Sequence, residues 1–188
     1  MNNNGNVSKS IPYNLDFRIT KTHKYLSNAL FSLLEKKSFN KITVKEICDT
    51  ALVSRSSFYS SFEDKYHLLL FCLEELKAEV QDQVDYNNKT LMLDYALSYI
   101  ESHGKLFKSL FNTETTLELR NMLISVFHEE LAAFLQVKQT INQEEFPYSI
   151  DLMAIFAAGG TTQLIQWWVC NDFSVPKEKL LRLLDNFP

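Results

Sequence analysis

The feature that most constrains this chain is a helical rhythm of apolar residues that little interrupts. From about Thr20 to Lys37 they recur in pairs, Tyr25 and Leu26, Ala29 and Leu30, Leu33 and Leu34. That spacing puts them on one face of a helix. It returns along most of the 188 residues, and no stretch alternates with period two for long. Glycine and proline, four of each, are too few for the hairpin turns of a sandwich or barrel. The pattern predicts an all-α fold of about nine helices. With 46% apolar and 22% charged residues, global disorder is excluded. The length allows one sizeable core or a small module fused to a larger one.

Local signals divide the chain further. Ser38-Phe39-Asn40 breaks the first helix, and Thr43-Val44-Lys45-Glu46 reads as a capping box. In such a box the Thr hydroxyl accepts the Glu N–H and the carboxylate reaches back to the Thr N–H. A short helix follows to about Ala51, and Ser54 caps another that runs to about Ser60. A long helix is expected over 64–85, with Leu68, Leu69, Phe71, Cys72, Leu76 and Val80 on its apolar side. Further helices are expected at about 90–101, 104–111, 115–137, 148–171 and 176–186. Thr115-Thr116-Leu117-Glu118 reads as a second capping box, and Pro176 suits the first turn of the last helix. The polar start, 1–17, reads as a flexible arm without the apolar core of a signal peptide. Residues 18–65 then form one unit and 66–188 a larger helical one.

Several classes drop out. Between Asp151 and Asp172 lie twenty residues without a charge, long enough to span a membrane. Thr161, Thr162, Gln163 and Gln166 sit in its middle, and in lipid their polar groups would need partners. A buried helix and no membrane association are expected. Cys48, Cys72 and Cys170 are far apart, and the four His lack ligand spacing. Reduced thiols, a cytoplasmic location, no metal and no cofactor follow as expectations. No Ser-His-Asp, Cys-His, paired-carboxylate or phosphate-loop pattern stands out, so an enzyme is not expected. Net charge is −4, but residues 1–65 carry ten Lys/Arg and six Asp/Glu, a net +4. A basic front and an acidic back point to two jobs on one chain.

The front holds the chemistry. Residues 42–65, ITVKEICDTALVSRSSFYSSFEDK, join two short helices by a turn around Ala51-Leu52-Val53, which is helix-turn-helix geometry. In that motif the second helix enters the major groove and presents its first residues to base edges. At about 100° per residue, Arg55, Ser56, Tyr59 and Ser60 share one face, and Phe58 points into a core with Ile47 and Ala51. Arg can donate two bonds to guanine, and Ser can read either partner or hold a phosphate. Lys65 and the Thr43 hydroxyl, each at a helix start, are candidate phosphate contacts. Arg18, Lys21 and Lys24 can add to them or form a solvated helix face.

This segment resembles the DNA-binding domain of the tetracycline-repressor (TetR) family of bacterial regulators. The resemblance covers about residues 20–68. It rests on Thr43, Ala51-Leu52-Val53-Ser54, Phe58-Tyr59-Ser60-Ser61-Phe62 and Lys65, in register without a gap. It implies Thr43, Tyr59 and Lys65 as phosphate contacts and Lys45, Arg55, Ser56 and Ser57 as base-facing. The family usually has Gly in the turn where this chain has Leu52. A left-handed Leu would cost on the order of 1 kcal/mol, so a slightly reshaped turn is expected.

The remainder resembles the family's regulatory halves more weakly, through Phe156-Ala-Ala-Gly-Gly160 and Trp167-Trp168. The resemblance implies a homodimer on a pseudo-palindromic double-stranded operator, with recognition helices about 34–36 Å apart. It assigns dimerisation to about 148–171 and 176–187, with Gly159, Gly160, Trp168, Leu180 and Leu184 as candidates. The glycine pair would serve close backbone approach or room for a ligand. A pocket for a small organic effector is implied as well. Its candidate lining is Tyr95, Tyr99, Phe107, Phe111, Met122, Phe127, Gln163 and Trp167, with His103, Asn121 and His128 to orient a ligand. The expected function is a sequence-specific transcription repressor released by that effector. The alternative is a helix-turn-helix protein that binds another protein and leaves DNA alone.

Overall fold

The computed structural model describes residues 21–83, 88–111, 117–141, 143 and 145–186. The helices in chain order are α1 (Lys21–Leu34), a 3-10 turn (Phe39–Lys41), α2 (Val44–Ala51), α3 (Arg55–Tyr59) and α4 (Lys65–Gln83). After them come α5 (Lys89–Ser102), α6 (Gly104–Phe111), α7 (Leu117–Ile141), α8 (Ile150–Cys170) and α9 (Lys177–Asp185). The described residues contain nine α-helices and no strand, as the apolar rhythm predicts. The expected arm at 1–17, Arg18, Thr115, Thr116 and the side chain of Val80 lie outside the described residues.

Helix starts are set by short polar side chains. Thr43 and Glu46 form the expected box: Thr43 Oγ1 accepts the Glu46 N–H at 3.3 Å, and Glu46 Oε2 accepts the Thr43 N–H at 2.9 Å. Ser54 Oγ accepts the Ser57 N–H at 3.1 Å and opens α3. Asn88 and Ser149 do the same for α5 and α8, two caps the sequence reading did not identify. Pro176 stands one residue ahead of α9 rather than within its first turn.

α1 supplies Leu26, Leu30 and Leu34 to a core closed by Phe39, Ile47, Phe58, Phe62 and Leu68, all at 2% exposure or less. Each such side chain contributes about 1.5–3 kcal/mol of burial. The charge-free run is α8, whose inner face buries Ala154, Ala158, Ile165, Trp168 and Val169 along α7 and α6. Among the described residues, no helix is long and apolar enough to cross a membrane. α9 docks on α5 through Lys177, whose Nζ reaches Asp94 and Ser98 at 2.7 Å each, and through Thr90 with Asp185. The Trp168 indole N–H donates to the Val175 carbonyl at 2.7 Å, and its ring meets the Phe173 edge. That Phe173 ring lies 2.8 Å from where a Cβ on Gly104 would stand, so any larger residue there would have to push the ring aside.

The turn between α2 and α3 departs from expectation. It is not reshaped: Leu52 itself takes the left-handed conformation, φ 55° and ψ 38°, and its N–H bonds the Cys48 carbonyl. This is the C-terminal cap that glycine usually supplies. The Leu52 side chain is 94% exposed, so no packing offsets the strain. Leu52→Gly should therefore stabilise the protein by about 0.5–1 kcal/mol, the relief of strain less the extra freedom glycine gives the unfolded chain. Urea denaturation midpoints of the two proteins check this.

Candidate nucleic-acid interface

α3 is only five residues long, so its position comes from its surroundings. Phe58 is fully buried and meets the Tyr59 and Phe62 rings at centroid distances of 5.3 and 5.8 Å. This one anchor turns the opposite side of the helix outward. Arg55, Ser56, Tyr59 and Ser60 are exposed, with Tyr59 at 58%. The hydroxyls are tied down locally: Ser54 Oγ meets Ser56 Oγ at 2.9 Å and Ser57 Oγ at 2.8 Å, and Ser60 Oγ donates to the Ser57 carbonyl. Ser57 is half-buried beneath this chain of hydroxyls. Lys45, in the first turn of α2, is exposed. The structure thus brings a guanidinium, a phenol and pre-oriented hydroxyls onto one exposed face.

Thr43 and Lys65 behave differently from the outward-facing set. The Thr43 hydroxyl donates to Glu46 Oε2 at 2.9 Å, so its proton already has a partner. What α2 still offers an anion is its first-turn N–H groups, which no helix pairs internally. Lys65 turns inward. Its Nζ donates to the carbonyls of Phe39, Asn40 and Ile42 at 2.9, 3.1 and 2.9 Å, and sits 4.7 Å over the Phe39 ring. An ammonium has three protons, and all three go to this loop. Burial lowers its pKa, countered in part by Asp64. The side chain expected on phosphate is here the clasp that holds the 3-10 turn to the start of α4.

Glu46 carries the other charge-assisted contact. Lys37 hydrogen-bonds its carboxylate, and the Thr43 N–H and hydroxyl add to it, holding its pKa at about 2 against an ordinary 4.5.

Behind this surface, α4 leads to a cavity of about 530 Å³ in the C-terminal bundle. It is walled by α4, α5, α7, α8 and α9, with Leu73, Leu93, Phe127, Phe134, Phe156 and Leu164 among its lining. Of the aromatic candidates only Phe127 lines it. Tyr99 and Phe107 border a separate recess of about 90 Å³. Phe111 is buried and Met122 packs against the core. Tyr95 is half-buried and Asn121 is exposed. His103 is exposed and stacks on Tyr99, and His128 pairs with Asp151 at 3.2 Å. Gln163 and Trp167 are exposed on α8. The missed wall residues are spread over all five of these helices, and the helical period of each marks them only as apolar positions.

The dimer candidates divide by one residue of register. Trp168, Leu180 and Leu184 are buried within the chain, at 0%, 3% and 7% exposure, and so face inward. Their neighbours Trp167 and Leu183 are exposed. With Leu152, Ile155 and Phe156 they make an outward apolar stripe along α8 and the edge of α9. Gly159 and Gly160 lie beside that stripe with open space where a Cβ would stand, and Gly160 also borders the cavity.

A capped helix pair with Lys45, Arg55, Tyr59 and serine hydroxyls on its exposed face, joined through one helix to a hollow helical bundle, defines a helix-turn-helix regulator fold. Comparison with known proteins agrees. The profile described as "Bacterial regulatory proteins, tetR family" matches residues 27–71, and "Transcriptional regulator C-terminal region" matches 87–187. The chain belongs to the TetR family. It is 25% identical over 166 residues to the uncharacterized HTH-type transcriptional regulator YxbF of Bacillus subtilis (strain 168), covering 82% of this chain and 41% of that protein. It is 28% identical over 101 residues to the dhaKLM operon transcriptional activator DhaS of Lactococcus lactis subsp. lactis (strain IL1403), covering 52% of each. The chain thus spans about half the length of these curated relatives. A TetR transcriptional regulator from Streptococcus agalactiae 2603V superposes with a TM-score of 0.63 over 87% of this chain and 91% of that one, at 22% identity. That likeness is one of fold.

Two outcomes follow from the clasp and the box. Lys65→Met leaves three carbonyls without their donor and should destabilise the protein by about 1.5–3 kcal/mol, read from urea midpoints. The salt dependence of DNA binding by the folded variant should stay at the wild-type slope. Glu46 has a depressed folded pKa, so its contribution is present above about pH 4.5 and lost as pH falls through about 2. The difference in melting temperature between wild type and Glu46→Gln, clear at pH 6, should shrink across that window.

Proposed function

We propose that the chain is a homodimeric, sequence-specific DNA-binding transcription regulator that lets go of its operator when a small molecule fills the cavity. The observation that carries the reading is the outward face of α3, with Arg55, Ser56, Tyr59 and Ser60 exposed on a helix locked from behind by Phe58. Arg55 is the base reader, and Lys45, Tyr59 and the first-turn amides of α2 hold phosphates. The net positive charge of residues 1–65 supports the same assignment. Dimerisation is assigned to the stripe of Leu152, Phe156 and Trp167 with the glycine notch beside it, since exposed apolar patches of this kind mark partner surfaces.

Control runs through α4. The same helix carries Lys65, which grips the loop before α2, and Leu73, Leu76 and Lys77, which line the cavity. Ser27 of α1 also bonds Glu75 of α4 at 3.3 Å. A ligand that favours a tilted α4 shifts the whole helix-turn-helix. A differential affinity of about 2.7 kcal/mol gives a hundredfold loss of operator binding. Repression is the sign proposed. Activation is the second reading, favoured by the likeness to a relative described as an activator.

Selection of bound sequences from a random DNA pool at two salt concentrations tests the reading. A palindromic consensus weakened by salt is expected, and Arg55→Ala should cost about 1–3 kcal/mol at one base pair while leaving the others. No enrichment at low salt would overturn DNA recognition and favour a protein partner for this motif. An Arg55→Ala preference identical to wild type at every position would remove Arg55 as a reader.

A further inference from the structure

We propose that the ligand of the 530 Å³ cavity is an uncharged, largely apolar molecule with at most one hydrogen-bonding group, seated against the Lys77–Glu130 pair. This deepens the effector reading above and rests on it. The volume falls among those that bury small organic ligands, about 300–1,000 Å³. Leucine, methionine, phenylalanine and alanine side chains make up most of the wall. Among the described residues its only polar side chains are Lys77, Glu130 and Thr161.

The two charged groups are already matched to each other. Lys77 Nζ pairs with Glu130 across α4 and α7, and with Glu74 at 3.3 Å. Burial pulls the Lys77 pKa down, but the two carboxylates outweigh it and leave it above its ordinary value. The ammonium is therefore charged and engaged. An anionic ligand would bring its charge into an apolar wall beside Glu130, where the cation it needs is held by carboxylates. A cationic ligand would have to displace Lys77 from Glu130. Either way an ion gives up water along a carbon-lined wall without a new partner, which costs more than burying a hydroxyl that finds one hydrogen bond, although Lys77 and Glu130 themselves stay 32% and 27% exposed and that exposure lessens the cost. A neutral molecule meets neither penalty and fills carbon-lined space.

The test uses the purified full chain and N-phenyl-1-naphthylamine, a neutral fluorophore that brightens in apolar surroundings. Three competitors share a ten-carbon chain and carry a neutral, an anionic or a cationic head group: 1-decanol, decanoate and decylammonium, at pH 7.5. Decanol should displace the dye at a concentration at least tenfold below that of either ion. Glu130→Gln, which loosens the hold on Lys77, should move decanoate towards decanol by threefold or more. Leu164→Trp and Ala157→Trp each place an indole in the cavity and should weaken dye binding by threefold or more while far-ultraviolet circular dichroism stays helical. If either ion displaces the dye as well as decanol does, the uncharged class is wrong and the cavity stands as an ionic ligand's site. If the wild type never brightens the dye, or both folded tryptophan variants bind it as tightly as the wild type, the cavity is not a ligand site. That outcome removes the effector reading, whereas the DNA selection judges operator recognition separately.

Discussion

The grip of the Lys65 ammonium on three carbonyls of the loop around the 3-10 turn is the contact on which the rest of the molecule depends. Before it lie α1 and the 3-10 turn, and after it lies a helix of nineteen residues reaching into the bundle. Loops usually carry the softest backbone of a fold. Here one charged group satisfies three carbonyl acceptors at once, and a Phe39 ring lies beneath it. The loop becomes a rigid corner. The Thr43–Glu46 box begins one residue past the last gripped carbonyl, so α2 starts from a fixed point.

From that corner the recognition surface is built by constraint rather than by helix propensity. A five-residue helix has no independent stability in water, since nucleation alone costs more than its few bonds return. α3 persists because Ser54 caps one end, Leu52 accepts a left-handed turn at the other side of the corner, and Phe58 is driven into the core. The serine hydroxyls then hold one another in place. Groups ordered in advance lose little freedom on binding, so on the proposed reading this ordering would favour affinity without added contact area.

How much of this was legible in the sequence follows from the range of each interaction. Caps and helix starts are local, so Thr43–Glu46 and Ser54 could be read from spacing within three residues. The face of α3 was equally readable, because one aromatic and the helical period fix it. The role of Lys65 was not, since its partners lie 23 to 26 residues earlier and nothing in the spacing reveals them. Leu52 failed for another reason: a side-chain preference of about 1 kcal/mol was weighed against a turn that the flanking caps enforce more strongly. On α8 the run Trp167-Trp168 offered two equal rings, and only packing against Val175 and Phe173 selects the second for the core. The cavity is likewise a property of how five helices fail to close, which no single period encodes.

The same geometry bounds how a ligand could act at a distance. From Lys65 to Lys77 along α4 is twelve residues, about 18 Å at 1.5 Å per residue. A tilt of about 5° at the cavity end moves the Lys65 end by roughly 1.6 Å. Hydrogen bonds to base edges operate between about 2.7 and 3.2 Å, so a shift of that size breaks them unless the DNA follows. In the proposed dimer both half-sites would move together, and their separation would change by up to twice as much. A soft link at the loop would absorb the motion before it reached α2. The Lys65 clasp opposes that, so on the proposed reading the contact that holds the recognition surface in place would also carry a small displacement in the bundle to the DNA.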